Sequence, residues 1–350
     1  MVIEITPLDT LFFRNGKPFM MGVDTWADVI FPPPPSVIYG ALRTLYFANH
    51  MDEFKKFFES KNEKDDPTKD LVIKGVYLKE NSGGLMLHAP LDTVKRKKGK
   101  NKLYFLTPSE EKDCYSSLDT KLLLKSEENQ LETVEKLYIE HDYLEYYLQG
   151  LKRNMYFSSL DSQIKIEPKV GIRIDRNRHT SEQGEFYRAG MIRLKDLSIL
   201  VDYENLEGIP DTGIIKLGGE GKAASYRKVD DFSLPFTYKP CIRNKRFKLY
   251  LATPAIFRNG WLPGWLDEGL NGIKLKLIAA AVGKYITIGG FDIKERKPKT
   301  MYRAVPAGSV YYFEVPEGVD EQKLIDSFHN RCISEYEKEK GFGLAFMGVV

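Results

Sequence analysis

The stretch FPPPPSVIYGALRTLYFANH, residues 31–50, joins a run of prolines to a helical pattern of apolar residues. Because proline fixes the backbone angle φ, the run predicts a rigid, extended lead-in. Ser36 is then predicted to cap a helix over 37–50. The apolar positions recur at helical spacing and predict one buried face, made of Val37, Ile38, Ala41, Leu42, Leu45 and Tyr46.

The segments around this helix predict a strand–helix–strand–strand order. Residues 2–13 predict a strand, and residues 71–80 and 83–90 predict a hairpin. The pattern restarts after residue 240, with strands predicted over 246–253, 272–282, 284–293 and 309–316, a helix over 320–340 that Gly341 ends, and a last strand. In the first of these strands Lys248 and Tyr250 are predicted to face water. The order is that of the ferredoxin-like unit, present twice. The NGWLPGWLDEGLN segment allows the first helix of the second unit little more than a turn or two.

A second decisive stretch is GIRIDRNRHTSEQGEFYRAGMIRL, residues 171–194, which predicts a two-armed β-ribbon with a turn at 180–184. It carries five arginines, which predict contact with an anionic partner. If no bulge intervenes, Arg176 and Arg178 share a face with Ile172 and Ile174, and Arg173 faces the other way. The alternative is a salt-bridged surface hairpin, with Asp175, Glu182 and Glu185 as partners of the arginines.

Two glycine-rich segments and one basic run have both a structural and a functional interpretation. LGGEGKAA, residues 217–224, and GFGLAFMGVV, residues 341–350, are typical either of tight turns or of loops whose bare backbone admits phosphates. The first lacks the spacing of a Walker loop. KRKKGKNK, residues 95–102, is more often a solvated loop than a nucleic-acid contact. It lies in a predicted insertion over about 92–140, which we expect to carry a helix or two.

Composition excludes several classes of protein. The chain has 350 residues, enough for two domains, and its net charge of +3 leaves nucleic-acid binders and enzymes equally open. Cys114, Cys241 and Cys332 are far apart, and the scattered histidines form no metal motif, so neither a metal site nor a cofactor is predicted. No signal peptide or membrane span is predicted, and the cytoplasm is the expected compartment. His50 is the one candidate general base for RNA cleavage, and a surface histidine at a helix C-terminus is the commoner case.

Taken together, several segments resemble one known family. They are TPLDTLFFRNGKPF, FPPPPSVIYGALRT, KVGIRIDRNRHTSEQGEFYRAGMIRL, LGGEGKAA, TPAIFRNGWLP and GFGLAFMGVV. They are similar to the Cmr-type RAMP proteins, the third subunit of the type III-B CRISPR effector complex in antiviral defence. The motifs run from one end of the chain to the other, and residues about 51–70 and 92–140 match none of them.

The resemblance implies an α+β fold of two ferredoxin-like (RRM-like) domains with insertions, no catalytic activity, and a β-hairpin thumb over the guide RNA. The domains are expected at 1–240, with the insertion and the ribbon at about 165–200, and at 241–350. The implied partners are the 5′ handle of the crRNA, the large polymerase-palm subunit and the first backbone RAMP subunit, with no membrane. The candidate RNA-binding residues lie in the matching motifs: Arg14, Ser36, Arg43, Lys169, Arg173, Arg176, Arg178, Gly219, Gly221, Lys222, Arg258, Gly341 and Gly343.

Two other functions remain open at this point. One is a RAMP endoribonuclease that processes precursor crRNA, with His50 and a nearby Lys or Tyr as catalytic groups. The other is a structural adaptor whose only partners are proteins. The apolar residues Trp261, Leu262 and Trp265 are predicted to be exposed and to contact another chain.

Overall fold

A computed structural model gives the fold of the chain. It describes residues 1–16, 26–27, 29–60, 62–97, 102–111, 122–133, 137–151, 159–175, 180–230, 232, 236, 238–292 and 294–350, and within 172–187 it describes the backbone only. The described residues form a mixed α/β structure whose sheets are mostly antiparallel. No helix among them is long and apolar enough to cross a membrane.

The strands of the described residues are β1 Val2–Pro7, β2 Trp26–Ala27, β3 Val72–Glu80, β4 Leu85–His88, β5 Thr93–Arg96, β6 Leu103–Phe105, β7 Thr107–Glu110, β8 Leu122–Lys125, β9 Leu131–Thr133, β10 Tyr138–Glu140, β11 Ile164–Asp175, β12 Thr180–Leu194, β13 Leu197–Glu204, β14 Thr212–Lys216, β15 Ala223–Val229, β16 Arg246–Leu251, β17 Lys276–Ala281, β18 Ile286–Ile288, β19 Phe291–Asp292, β20 Lys297–Pro298, β21 Tyr302–Ala304, β22 Val310–Glu314, β23 Arg331–Cys332 and β24 Leu344–Val349. The helices are α1 Pro35–Asn49, α2 Met51–Glu59, α3 His141–Leu148, α4 Trp265–Glu268 and α5 Glu321–Phe328.

The chain divides into two compact units that alternate along the sequence. Unit 1 comprises residues 1–81, 161–230 and 287–302, and unit 2 comprises 82–160, 231–286 and 303–350. The predicted division of the chain into domains at 1–240 and 241–350 stays a prediction.

Unit 1 contains a sheet in which β3, β13, β1, β15 and β14 are neighbours in that order. Strand β1 lies in the middle, antiparallel to β13 and β15, with Ile3 and Ile5 fully buried. Helix α1 packs its predicted apolar face on this sheet, since Ile38, Ala41 and Leu42 are buried. The sheet and helix give unit 1 its core, from which the ribbon strands β11 and β12 extend.

The prediction that Ser36 caps α1 is wrong, because the helix begins one residue earlier. Pro34 is the N-cap residue, Pro35 is the first helical residue, and Ser36 lies inside the first turn. Proline suits this position, because its fixed φ is already helical and its missing N–H would have no intrahelical partner.

Unit 2 contains a five-stranded sheet in the order β17, β22, β16, β24 and β23. Its core is rich in aromatic rings, with Phe247, Phe313 and Trp265 packed around Phe328 of α5. Asp320 caps α5 by accepting hydrogen bonds from the backbone N–H groups of Gln322 and Lys323. Strand β24 pairs with β16 from Phe247↔Val349 to Leu251↔Ala345 and with β23 on its other side, so it is an interior strand of the sheet.

Strand β16 contradicts the prediction of one face in water. Lys248 is only 7% exposed and Tyr250 is fully buried, so both faces of the strand are covered. Lys248 Nζ lies 3.4 Å from the centre of the Tyr147 ring. The Oδ2 atom of the buried Asp92 accepts hydrogen bonds from the hydroxyls of Tyr147, at 2.6 Å, and Tyr312. The alternation of polar and apolar residues therefore marks a buried polar cluster of Asp92, Tyr147, Lys248 and Tyr312.

Three further predictions for unit 2 are corrected by the structure. The helix predicted over 320–340 ends at Phe328, after which β23 pairs with β24. The insertion over about 92–140 shows strands β5 to β10 where it is described, in place of the expected helices. Trp265 is buried in the core and Leu262 packs against it, so Trp261, at 40% exposure, is the large exposed residue of the three.

Candidate nucleic-acid interface

The predicted two-armed ribbon is confirmed as the pair β11 and β12, but the turn predicted at 180–184 is wrong, because these residues already belong to β12. The strands are antiparallel, in regular register from Ile164↔Leu194 to Ile172↔Phe186. The register shifts between Ile172 and Ile174, and the pairing resumes at Ile174↔Ser181. The ribbon therefore has a regular base and an irregular outer part.

The prediction of which arginines share a face assumed that no bulge interrupts the strand, and this shift in register is such an interruption. Arg173 lies at the irregularity itself, so strict alternation of side chains does not pass through it. The side chain of Arg173, and the whole of Arg176 and Arg178, lie outside the described part of the chain. Their contact with RNA stays a prediction.

The base of the ribbon presents exposed apolar residues on one face of β11. Ile166 is 58% exposed and Val170 is 59% exposed. Both lie on the same face, because side chains alternate along a strand and the two positions differ by four. Arg188, opposite Val170 on β12, is also exposed. The same stretch of β12 is anchored in unit 1, since Ala189 and Met191 pack on Phe12. The ribbon base is thus fixed on one side and offers apolar and basic groups on the other.

The glycine turn of residues 217–222 lies beside this base. It closes the hairpin of β14 and β15 through a 2.9 Å hydrogen bond from Leu217 N to Lys222 O. Gly219 N donates to Phe12 O at 2.9 Å, which ties the turn to the segment that follows β1. Glu220 lies 3.9 Å from Lys169 of β11. The sequence-predicted residues Lys169, Gly219, Gly221 and Lys222 are therefore brought to one place.

Asp9 links the charges of this region. Lys222 Nζ donates to Thr10 Oγ1 at 2.9 Å and lies 3.3 Å from Asp9 Oδ2, while Arg193 lies 3.2 Å from Asp9 Oδ1. A hydrogen bond from the Thr10 backbone, assisted by Lys222, lowers the pKa of Asp9. We call this region the ribbon-base surface and define it by Asp9, Ile166, Lys169, Val170, Arg188, Arg193, Gly219, Glu220, Gly221 and Lys222.

Three cations of the ribbon-base surface, Lys169, Arg193 and Lys222, already have carboxylate neighbours. Arg193 also donates to Glu167 at 2.5 Å and 2.9 Å, an acid that the salt-bridged alternative for the ribbon did not include. Exposed ion pairs of this kind contribute only about 0–1 kcal/mol, so phosphates can replace the carboxylates at little cost. The existing ion pairs therefore do not exclude an anionic ligand.

Among the glycines of this turn, Gly218 is the position that tolerates a side chain least. Its φ is +78°, and a Cβ would collide with the carbonyl oxygen of Phe12. Gly221 has φ +65°, but a Cβ there would have no atom within 4 Å. We expect Gly218→Ala to destabilise the chain by more than about 2 kcal/mol, and Gly221→Ala by only about 1 kcal/mol, the cost of a left-handed residue. Urea unfolding of the two variants tests this, and equal losses would contradict the assigned geometry.

Arg43 is engaged within unit 1. Its guanidinium donates to Asp66 Oδ2 and to Thr68 Oγ1, each at 2.6 Å, and lies over the rings of Tyr39 and Phe47. The residue therefore fixes α1 to the segment before β3. Arg14 forms an isolated bridge with Val29 and is exposed, and Ser36 is partly buried in α1.

The predicted residues of unit 2 have structural roles. Gly341 and Gly343 are buried, and their N–H groups donate to Lys338 O at 3.0 Å and Pro254 O at 2.7 Å. Their backbone is therefore not open to phosphates, and the structural interpretation of the terminal glycine segment fits better. Arg258 forms an ion pair with Glu268 at 2.7 Å.

His50 is held at the end of α1 by Tyr46. Its Nδ1 lies 2.9 Å from the carbonyl oxygen of Tyr46 and its ring stacks on the Tyr46 ring at 4.2 Å. In this arrangement Nδ1–H donates to the carbonyl. The imidazole thus closes the end of α1, and the endoribonuclease alternative stays untested.

Similarity to solved structures is clear in the fold and low in sequence. A chain of the type III-B Cmr-beta complex bound to cognate target RNA is 20% identical over 93% of this chain and 88% of that chain, with a TM-score of 0.54. A second structure of that complex, with cognate target RNA and AMPPnP, is 19% identical with a TM-score of 0.53 and the same coverage. No curated protein matches the chain.

The family comparison covers nearly the whole sequence. The model of the family described as CRISPR-associated protein (Cas_Cmr3) matches residues 3–350, which includes both compact units, the ribbon and the glycine turn. The resemblance found in the sequence motifs is thereby confirmed, and the chain belongs to the Cas_Cmr3 family of CRISPR-associated proteins.

Proposed function

We propose that this chain is a non-catalytic subunit of a type III-B CRISPR effector complex that binds the 5′ handle of the crRNA and joins the large subunit to the first backbone RAMP subunit. Membership of the Cas_Cmr3 family supports the assignment to the complex. The similar chains from the Cmr-beta complex come from structures with bound target RNA.

The observation that carries the RNA-binding proposal is the ribbon-base surface. Apolar Ile166 and Val170 lie exposed beside Arg188 on one face of the ribbon, and Lys169 is exposed on the opposite face. Single-stranded RNA presents bases that stack or wedge against apolar groups and phosphates that pair with cations. An extended ribbon spans several nucleotides, so one element can contact both parts of the strand.

We further propose that both units are built on a ferredoxin-like core. In unit 2 the chain order β16, α4, β17, β22, α5, β24 is βαββαβ. The four strands lie in the sheet order β17, β22, β16, β24, which is second, third, first and last along the chain. In unit 1 the strands β3, β13, β1, β15 lie in the same order of second, third, first and last. The helix between β13 and β15 is replaced by β14.

Purification of the chain after co-expression with a guide RNA and the other subunits tests the proposed function. We expect the full chain to retain guide RNA and to crosslink to its handle, because the ribbon-base surface contacts the strand. A chain that joins the complex equally well with guide RNA absent, and carries no crosslinked RNA when it is present, would favour the protein-only adaptor.

A further inference from the structure

A groove in unit 2 lies apart in sequence from every residue of the ribbon-base surface. Its volume is about 580 Å³, within the range of sites that hold a small ligand. Two aromatic residues with exposed rings line it, Trp261 at 40% exposure and Tyr285 at 50%. Aliphatic and small residues form much of the rest of its lining: Gly260, Ala280, Val282, Gly283, Ala304 and Val305.

The charge of the groove is positive. Lys284 and Arg303 line it, and no acidic side chain does so among the described residues. Neither cation forms an ion pair with a residue in the described ranges. The Arg303 guanidinium instead lies 4.9 Å from the centre of the Tyr285 ring. Exposed aromatic rings with unpaired cations suit a ligand that is both flat and anionic.

The groove is held in place by the core beneath it. The buried hydroxyl of Tyr311 donates to the backbone oxygen of Trp261 at 2.6 Å. Val305 and Ala255 exchange two backbone hydrogen bonds of 2.7 Å and 3.0 Å, which fix the floor. The backbone of Trp261 and Val305 is therefore fixed by the core, which lowers the entropy lost there when a ligand binds.

We propose that this groove binds one nucleotide, with its base on the rings of Trp261 or Tyr285 and its phosphate near Lys284 and Arg303. Bases stack on exposed aromatic rings without regard to sequence, and Arg adds a cation–π contribution. Either a free nucleotide or one nucleotide of a strand meets these requirements. This site is separate from the RNA contact under "Proposed function" and does not depend on it.

Tryptophan fluorescence of the full chain tests the site. AMP and an octamer of riboadenylate are the two probes, and the signal is assigned by Trp261→Phe, which keeps a ring but removes the fluorophore from the groove. We expect saturable quenching by at least one probe, lost in this variant. Quenching by AMP identifies a free-nucleotide site, and quenching by the octamer alone identifies a strand nucleotide.

Variants of the groove test whether the aromatic ring and the cation each contribute to nucleotide affinity. Tyr285→Ala and Arg303→Gln are expected to weaken binding by about 5- to 100-fold, the equivalent of one stacking contact. Tyr336→Ala is the matched control, because Tyr336 is also 40% exposed and does not line the groove. It should bind as the wild type does, as should a variant lacking the ribbon arginines.

Several results would overturn the proposal. The first is absence of saturable quenching by either probe at millimolar concentration, and the second is an equal loss in Tyr336→Ala. A third is a groove variant that loses association with another subunit of the complex but keeps its nucleotide affinity. A loss that occurs only with the ribbon variant would place the nucleotide on unit 1 and would leave the handle-binding proposal standing.

Discussion

Replacing Asp92 by Ala is expected to destabilise the chain by about 3–5 kcal/mol, because it leaves two buried tyrosine hydroxyls without their acceptor and opens space in the core. Asp92 is fully buried, and burial raises the pKa of its carboxyl. Burial also lowers the pKa of Lys248, while the nearby Asp92 opposes that shift. Without the carboxylate, Lys248 loses its compensating charge, and the hydroxyls of Tyr147 and Tyr312 lose their acceptor.

A double-mutant cycle separates the charge from the space it fills. Asp92→Asn with Lys248→Met removes both charges and nearly keeps their volumes, and such neutral replacements of buried pairs are often tolerated. We therefore expect the double variant to be more stable than Asp92→Asn alone. Urea unfolding of the full chain, followed by circular dichroism, measures the four members. Additive losses would show that Asp92 and Lys248 do not interact.

Replacing Arg173, Arg176 and Arg178 by Ala is expected to weaken guide-RNA binding by about 100-fold at 0.1 M salt. Each phosphate contact on a single strand adds about 0.7 to the log–log dependence of affinity on salt, so three contacts add about 2. The difference from wild type should shrink as salt rises toward about 1 M. Filter binding across a salt series gives both slopes.

A matched triple variant controls for net charge. Lys55, Lys245 and Lys297 lie outside the ribbon, and their side chains are 67%, 61% and 66% exposed. Their replacement by Ala removes the same three charges and should change the slope far less. Neither triple variant should unfold, because exposed charges contribute little to stability. Equal slopes for the two triples would mean that the ribbon arginines do not meet phosphates.

The order of elements was predictable where local patterns agree with their environment. Helix α1 follows its apolar stripe, and the ribbon follows from two β-like arms around a turn. The prediction for β16 failed because Lys248 and Tyr250 resemble a solvent-facing pair. Their partners, Asp92 for Lys248 and the backbone oxygen of His88 for Tyr250, lie more than 150 residues away in the sequence. Pairing between such distant residues leaves no local signal.

The candidate site was predictable only in part for the same reason. The glycine turn and the ribbon were each recognisable, but the link through Asp9 joins three segments that are remote in sequence. Gly341 and Gly343 look as permissive as Gly219 and Gly221 in the sequence. Burial separates the two pairs, since Gly343 is enclosed by Ser334 while Gly221 faces open space. The nucleotide groove was not predicted, because its lining residues come from four separate stretches.

Site-specific crosslinking of the assembled complex tests the central proposal most directly. A guide RNA carrying 4-thiouridine at successive handle positions would be irradiated, and the crosslinked peptides of this chain identified by mass spectrometry. We predict crosslinks within residues 164–194 and 217–222, with the groove of unit 2 as a separate cluster if a strand nucleotide occupies it. Handle crosslinks confined to other parts of the chain, or to other subunits, would contradict the account.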